Sequence, residues 1–305
     1  MEHGSRKAVL AAFFANLGIA VAKFIGFFFT GAASMLAEAI HSVADTGNQG
    51  LLMLGGARAG RRPTEEHPFG FGRLRYFWSF VVALVLFTLG GLFAIFEGIE
   101  KLRHPHELES PEWAFGILSV AIVLELFSLR TAVRESQHAR GKLSWWQFIR
   151  RSKTPELPVV LLEDVGALLG LVFALLGVSV AVLTRDPRFD ALGSLAIGTL
   201  LVAIAVVLMV EMQALLIGES ASPEDRGAIR QALQGSPHVT RIIHFRTQHL
   251  GPDELLVGAK VEFGRDLTLE QVAAAIDGAE ANVRAAVPIA KVIYIEPDVY
   301  RQRET

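Results

Sequence analysis

Glu38, His41 and Asp45 lie within the stretch from Ser34 to Gln49, in a segment otherwise apolar enough to cross a bilayer. Ionisable groups at that depth cost roughly 2.5–3.5 kcal/mol each by insertion scales, so they mark a functional site by default. On a helix the three fall at i, i+3 and i+7, on one face. His41 and Asp45 are four apart, the spacing at which two side chains hold one metal ion. A second acidic pair, Glu163-Asp164, interrupts another apolar run. One imidazole and two carboxylates (His41, Asp45 and Asp164) are good ligands for Zn²⁺ or another divalent first-row ion. They bind only when deprotonated, so binding releases protons. An imidazole of ordinary pKa, near ~6.5, exchanges a proton for a metal around neutral pH. That exchange is the physical basis of metal/proton antiport.

The elements that must position these groups are membrane helices. The chain has 305 residues, 51% of them hydrophobic, and no cysteine; its mean hydropathy is +0.40. Such a composition points to a multi-span membrane protein with one small soluble domain. Disulfides, thiolate ligands and thiol redox chemistry are excluded. A net charge of −2 gives no basic surface for nucleic acid. Six apolar runs are expected as helices, at about 8–30, 32–57, 76–99, 113–133, 156–183 and 190–217, each near or above the ~20 residues a span needs. The expected division is a transport domain over 1–217 and a dimerisation domain over 218–305.

Fourteen basic residues fall on the side of the N-terminus and the loops after the second and fourth runs, against four (Lys101, Arg103, Arg185 and Arg188) on the other. The positive-inside rule then makes both termini cytoplasmic, and the expected location is the cell (inner) membrane. Depth can be checked as well. Asp45 lies about 13 residues from the outer end of the second helix, roughly 20 Å; Asp164 lies about 8 residues from the inner end of the fifth, roughly 12 Å. The two depths sum to about 32 Å, close to the ~30 Å hydrocarbon core, so both carboxylates reach one level near the midplane.

From Glu219 the chain turns polar. A helix over 223–233, strands over 242–248 and 255–263 joined by Gly251-Pro252-Asp253, a helix over 269–286 and a strand over 291–296 give the order αββαβ. The expected fold is membrane α-helical with six transmembrane helices, followed by a small α/β, ferredoxin-like cytoplasmic domain. About 85 residues make a marginal core, so a homodimer is expected.

With Leu36-Ala-Glu-Ala-Ile-His41-Ser-Val-Ala-Asp45, His67-Pro-Phe-Gly70, Asp164 and Arg246-Thr247 in the C-terminal domain, nearly the whole chain resembles the cation diffusion facilitator family of proton-coupled divalent-metal exporters. The stretches from Tyr76 to Gly91 and from Leu162 to Ala167 look most similar to the branch of mitochondrial-type zinc transporters and their bacterial relatives. The resemblance implies a transport site of two ligands on the second helix, His41 and Asp45, and two on the fifth, where Asp164 is present but Val160 stands in place of the common His. Glu163, a water or a backbone carbonyl is left to complete four-coordination. Glu163 points about 100° away from Asp164 on an ideal helix. Losing the nitrogen of the fourth ligand shifts the set towards oxygen donors. The implied cargo is Zn²⁺ first, with Mn²⁺, Fe²⁺, Co²⁺, Ni²⁺ and Cd²⁺ as further candidates, carried as substrate and not as a cofactor. Phe71 replaces the loop's second His, and the positions that correspond to regulatory-metal ligands are Ile243, Lys260, Tyr294 and Glu296. Metal sensing by the C-terminal domain is therefore not expected.

Plainer readings accompany each group. His41 and Asp45 form an interhelical hydrogen-bonded pair; Glu163 contacts Lys23 or a loop arginine; Glu38 is a proton relay or an outer contact; Glu125 pairs across helices or lines a pathway. Asn16, Asn48 and Gln49 read as interhelical glue, Trp145-Trp146 as an interfacial anchor, and His238, His244 and His249 as surface or dimer contact. Two other function classes compete with transport. His-x-x-x-Asp occurs in acyltransferases, but no nucleophile–base arrangement accompanies it and Asp164 is left unexplained. A non-transporting scaffold or heteromeric partner follows from the missing ligand at Val160.

Overall fold

The computed structural model describes residues 3–106, 108 and 110–301, with side chains from Leu17 onward; Arg6, Lys7 and Asn16 lie outside the described side chains. Six long helices form the membrane-embedded part: α1 (His3–Thr30), α2 (Ala33–Ala59), a rod made of α3 (Leu74–Val85), a π-helical segment (Leu86–Leu92) and α4 (Phe93–Arg103), then α5 (Pro111–Arg140), α7 (Glu156–Thr184) and α8 (Arg188–Ile217). Among the described residues, the rod, α5, α7 and α8 are long and apolar enough to cross a membrane by composition alone. The described apolar part of α1 is the shorter Leu17–Thr30. In α2, Glu38, His41, Ser42, Thr46 and Asn48 are all buried; this helix trades hydropathy for polar groups that face protein. Gly31, at φ +60°, ends α1 in the left-handed conformation that glycine adopts without a Cβ penalty.

The chain separates into two compact units, residues up to Gly56 with Phe77–Gln213, and Ala57–Tyr76 with Ala214–Thr305. In the first, Met35, Val82, Leu86, Leu118, Leu171, Ile197 and Leu201 form part of a wholly buried core. Small residues let helices close in lipid, where no hydrophobic force separates helix from tail. At the closest approach of the π segment to α8, a Cβ on Gly198 would lie 2.8 Å from the Gly91 carbonyl oxygen, and one on Gly91 3.3 Å from that of Gly198. Within the range expected as a loop, α6 (Trp145–Arg151) is started by a capping box in which Ser144 accepts from the Gln147 N–H and the Gln147 side chain accepts from Ser144 N–H. Arg140 stacks on Trp145, 4.5 Å from the ring centre.

The second unit holds α9 (Pro223–Gln234), β1 (Val239–Gly251), β2 (Glu254–Phe263), α10 (Leu269–Ala286) and β3 (Val292–Pro297). The sheet order is β1-β2-β3. β1 and β2 pair antiparallel, and β2 and β3 parallel, a pairing that requires the α10 crossover. Leu255, Val257, Ala259, Val261 and Phe263, every second residue of β2, are buried with Ile229 and Leu233 of α9 and Ala275, Ala279 and Val283 of α10. His249, read from sequence as surface or dimer contact, is 1% exposed, and its Nδ1 lies 3.3 Å from the Gly251 carbonyl. In the 57–76 range Gly72 packs on Leu250 and Gly251, and Arg75 pairs with Asp253 at 2.9 Å.

Lys260, opposite Glu296 in the β2–β3 register, holds Glu296 Oε1 and Asp298 Oδ2 at 3.0 Å each. The Glu296 and then the Asp298 hydrogen bond raise the Lys260 pKa; the Lys260 hydrogen bond, chiefly, lowers that of Asp298 from its ordinary 3.8. Stabilisation through Asp298 is therefore present above 3.8 and lost as pH falls through its lowered folded value. That through Lys260 is present below 10.5 and lost as pH rises through its raised one. The expected result is an Asp298 carboxyl NMR titration with its midpoint below 3.8 that moves up in Lys260→Met. An unmoved midpoint would show that the ammonium does not set it.

Candidate metal centre

The outer end of α2 is fixed from two other helices. Asp190, at the start of α8 and fully buried, accepts from the N–H of Ala33 at 2.7 Å and of Ser34 at 3.4 Å, and from the Ser34 hydroxyl. A carboxylate at a helix N-terminus satisfies unpaired N–H groups and opposes the positive end of the dipole. Lys101 of α4 lies 3.9 Å from Asp190 and donates to the Gly31 carbonyl. With its entry anchored, α2 presents Glu38, Ser42 and Asp45 at successive turns. Lys23 of α1, 1% exposed, donates to Glu38 Oε2 at 2.9 Å and to Ser42 Oγ at 2.7 Å. This resolves two readings: Lys23 engages Glu38, and Glu163 has a different partner.

Asp45, Glu163 and Asp164 come together. With Ile19, Ser42, Gln49, Glu125, Ser128 and Val160 they line one cavity of about 30 Å³, room for one or two waters. Asp164 Oδ2 accepts from Ser128 Oγ of α5 at 3.0 Å. Glu163 Oε1 accepts from Asn48 Nδ2 of α2 at 2.6 Å, so Asn48 does act as glue, between α2 and α7. His41 stands apart from this lining. It is fully buried, its Nε2 is 3.3 Å from Asp45 Oδ2, and its Nδ1 would lie 3.6 Å from a Cβ on Gly90 in the π segment. Single π turns recur at functional sites, and this one backs the imidazole.

The polar groups here are incompletely paired. Neither ring nitrogen of His41 is hydrogen-bonded, and Asp45 Oδ1, Asn48 Oδ1 and Glu38 Oε1 are likewise buried without hydrogen-bond partners among the described residues. Unsatisfied buried groups cost ~1–3 kcal/mol each, more when charged, and a cluster of them fits a site built for a cation and its protons. Among the described residues no three His, Asp or Glu groups already converge on one ion position. The arrangement therefore offers donors from α2, α5 and α7 around a shared space, not a closed shell. Sequence reasoning noted Glu125 without placing it, and gave no sign of Ser128; an i, i+3 Glu–Ser pair on an apolar helix is the signal that was there to use.

A family model described as "Cation efflux transmembrane domain" matches residues 9–217, and one described as "Cation efflux protein, cytoplasmic domain" matches residues 221–298. The chain is 38% identical over 250 residues to "Proton-coupled zinc antiporter SLC30A9, mitochondrial" of Xenopus laevis, covering 81% of this chain and 44% of that protein. To the human protein of that name it is 36% identical over 268 residues, covering 87% and 47%. To "Zinc transporter ZitB" of Escherichia coli (strain K12) it is 26% identical over 255 residues, covering 82% and 75%. The chain thus spans about half the length of the SLC30A9 proteins it matches.

Proposed function

This chain belongs to the cation efflux family, and from that membership we propose that it is a divalent-metal/proton antiporter that exports zinc from the cytoplasm by alternating access. Asp45 and Asp164, with His41 and Glu163, are its metal-binding groups. Carboxylates and an imidazole that hold protons in one state yield them when the ion binds. Each turnover then exchanges charge for charge without leaving bare anions at membrane depth. The observation that carries the reading is the meeting of Asp45 from α2 and Asp164 from α7 at one cavity. The printed names of the relatives, zinc antiporter and zinc transporter, support the cargo. The same reading places the protein in the cell (inner) membrane with both termini cytoplasmic, as a homodimer joined through the C-terminal domain. It has no catalytic step.

The test is uptake into proteoliposomes under an imposed pH gradient, comparing Zn²⁺, Mn²⁺, Fe²⁺ and Co²⁺. The expected result is that zinc flux is the largest and collapses when the gradient is dissipated. No flux of any ion by a folded dimer would shift the reading to a non-transporting scaffold, the function that the missing donor at Val160 favours.

A further inference from the structure

Glu125 lies on α5, a helix outside the two-and-two ligand pattern, yet its side chain lines the cavity that holds Asp45, Glu163 and Asp164. The rotation of α5 explains this. Ser128 shares a face with Glu125 at i, i+3 and donates to Asp164 Oδ2 at 3.0 Å, which turns Glu125 towards α7. The charge of Asp164 acts on Glu125, and that of Glu125 on Asp45. Lys23, the cation whose charge acts on Glu125, is already engaged by Glu38 and Ser42. Among the described residues nothing hydrogen-bonds or ion-pairs with the Glu125 carboxylate. Four carboxylates around about 30 Å³ repel one another unless protons or a cation intervene. The fully buried His41, neither nitrogen hydrogen-bonded, directs Nε2 at Asp45 on the rim of the same space.

Val160 also lines this cavity, one turn before Asp164, and contributes only methyl groups. We propose that Glu125 is a metal-binding residue of the transport site, supplying from α5 the donor that Val160 cannot supply from α7. This rests on the transport reading above. It makes the donor set one imidazole against several carboxylate oxygens, and so softens the preference for zinc over harder ions such as Mn²⁺.

The test uses the whole 305-residue chain, with zinc and manganese affinities from calorimetry in detergent and flux in proteoliposomes. Glu125→Gln preserves shape and removes the charge. It is expected to weaken zinc binding at least about tenfold, the lower edge of what even outer partners of a bound metal contribute. Adding Val160→His to Glu125→Gln is expected to restore zinc affinity to within about threefold, and manganese affinity much less, since imidazole favours zinc. Where Glu125→Gln fails to insert, Glu125→His decides the matter: it exchanges a carboxylate donor for an imidazole and is expected to raise the zinc-to-manganese affinity ratio about tenfold, and an unchanged ratio would overturn the proposal. Unchanged zinc affinity in Glu125→Gln, or no rescue by Val160→His in a folded dimer, would overturn the proposal while Asp164→Ala still abolishes flux. Failure of the transport reading looks different, with no flux in the wild type.

Discussion

Asp45→Ala/Asp164→Ala is expected to lose proton-driven zinc flux by at least about 100-fold while its dimer stays folded. Each substitution removes one charged oxygen donor from the shared cavity. A donor at bonding distance is worth more than the ~1.4 kcal/mol that equals a factor of ten, so two together exceed 100-fold. Stability should move the other way. Asp45 Oδ1 is buried without a hydrogen-bond partner, and Asp164 has the single Ser128 hydroxyl. Carboxylates with so few partners, Asp45 having only His41 Nε2 at 3.3 Å, are a cost at membrane depth in the resting protein. Their removal is expected to leave thermal unfolding unchanged or raised, apart from one lost hydrogen bond of ~1 kcal/mol. The combination of lost flux and retained stability separates a transport site from a structural polar cluster, whose loss would lower both. Wild-type zinc flux in the double variant would remove Asp45 and Asp164 from the transport site.

The parts of this molecule legible in its sequence are those set by periodicity and length. Asp45 and Asp164 could be placed at one level because helices rise uniformly and a bilayer has a fixed thickness, and the two do line one cavity. The αββαβ order was legible because strand alternation in β2 and helical spacing in α10 are local signals. Rotations of helices about their own axes are not local. Whether Lys23 meets Glu38 or Glu163, and whether Glu125 faces lipid, a partner or the site, depends on how α1 and α5 turn against their neighbours. That turn is set by shape, such as the fit of Gly26 on α1 against the Ile117 side chain on α5. The π segment falls in the same class: Gly90-Gly91 advertises weakness in a helix, but not the extra residue per turn that sets it against His41. The helix α6 was missed for a different reason. Its capping box at Ser144 and Gln147 is readable, but seven residues give no periodicity to support it.

The largest stability effect is expected from Lys23→Met. Lys23 and Glu38 are 1% and 0% exposed and 2.9 Å apart, so removing the ammonium leaves a buried carboxylate without its counter-charge. Breaking a buried pair from one side costs ~3–5 kcal/mol. Two considerations bear on where in that range the value falls. Polar contacts between membrane helices average only about 0.6 kcal/mol, because the separated helices find other partners in the bilayer. That average describes hydrogen bonds, however, and Glu38 in Lys23→Met keeps a full charge or must take up a proton. Lys23 sits seven residues from the end of α1 at Thr30, about 10 Å, close enough for its ammonium to snorkel to the interface in the separated state. Snorkelling stabilises the unfolded reference in the wild type and trims the loss towards about 3 kcal/mol. Lys23→Met/Glu38→Met removes both charges. It should recover most of that loss, short of a residue owed to packing: Gly170 is fitted to a carboxylate and not to a thioether. The coupling between the two sites, read from unfolding of the single and double variants in one detergent, is expected to be at least about 2 kcal/mol. A Lys23→Met loss below about 1 kcal/mol would show that the contact between Lys23 and Glu38 is not a buried charge pair.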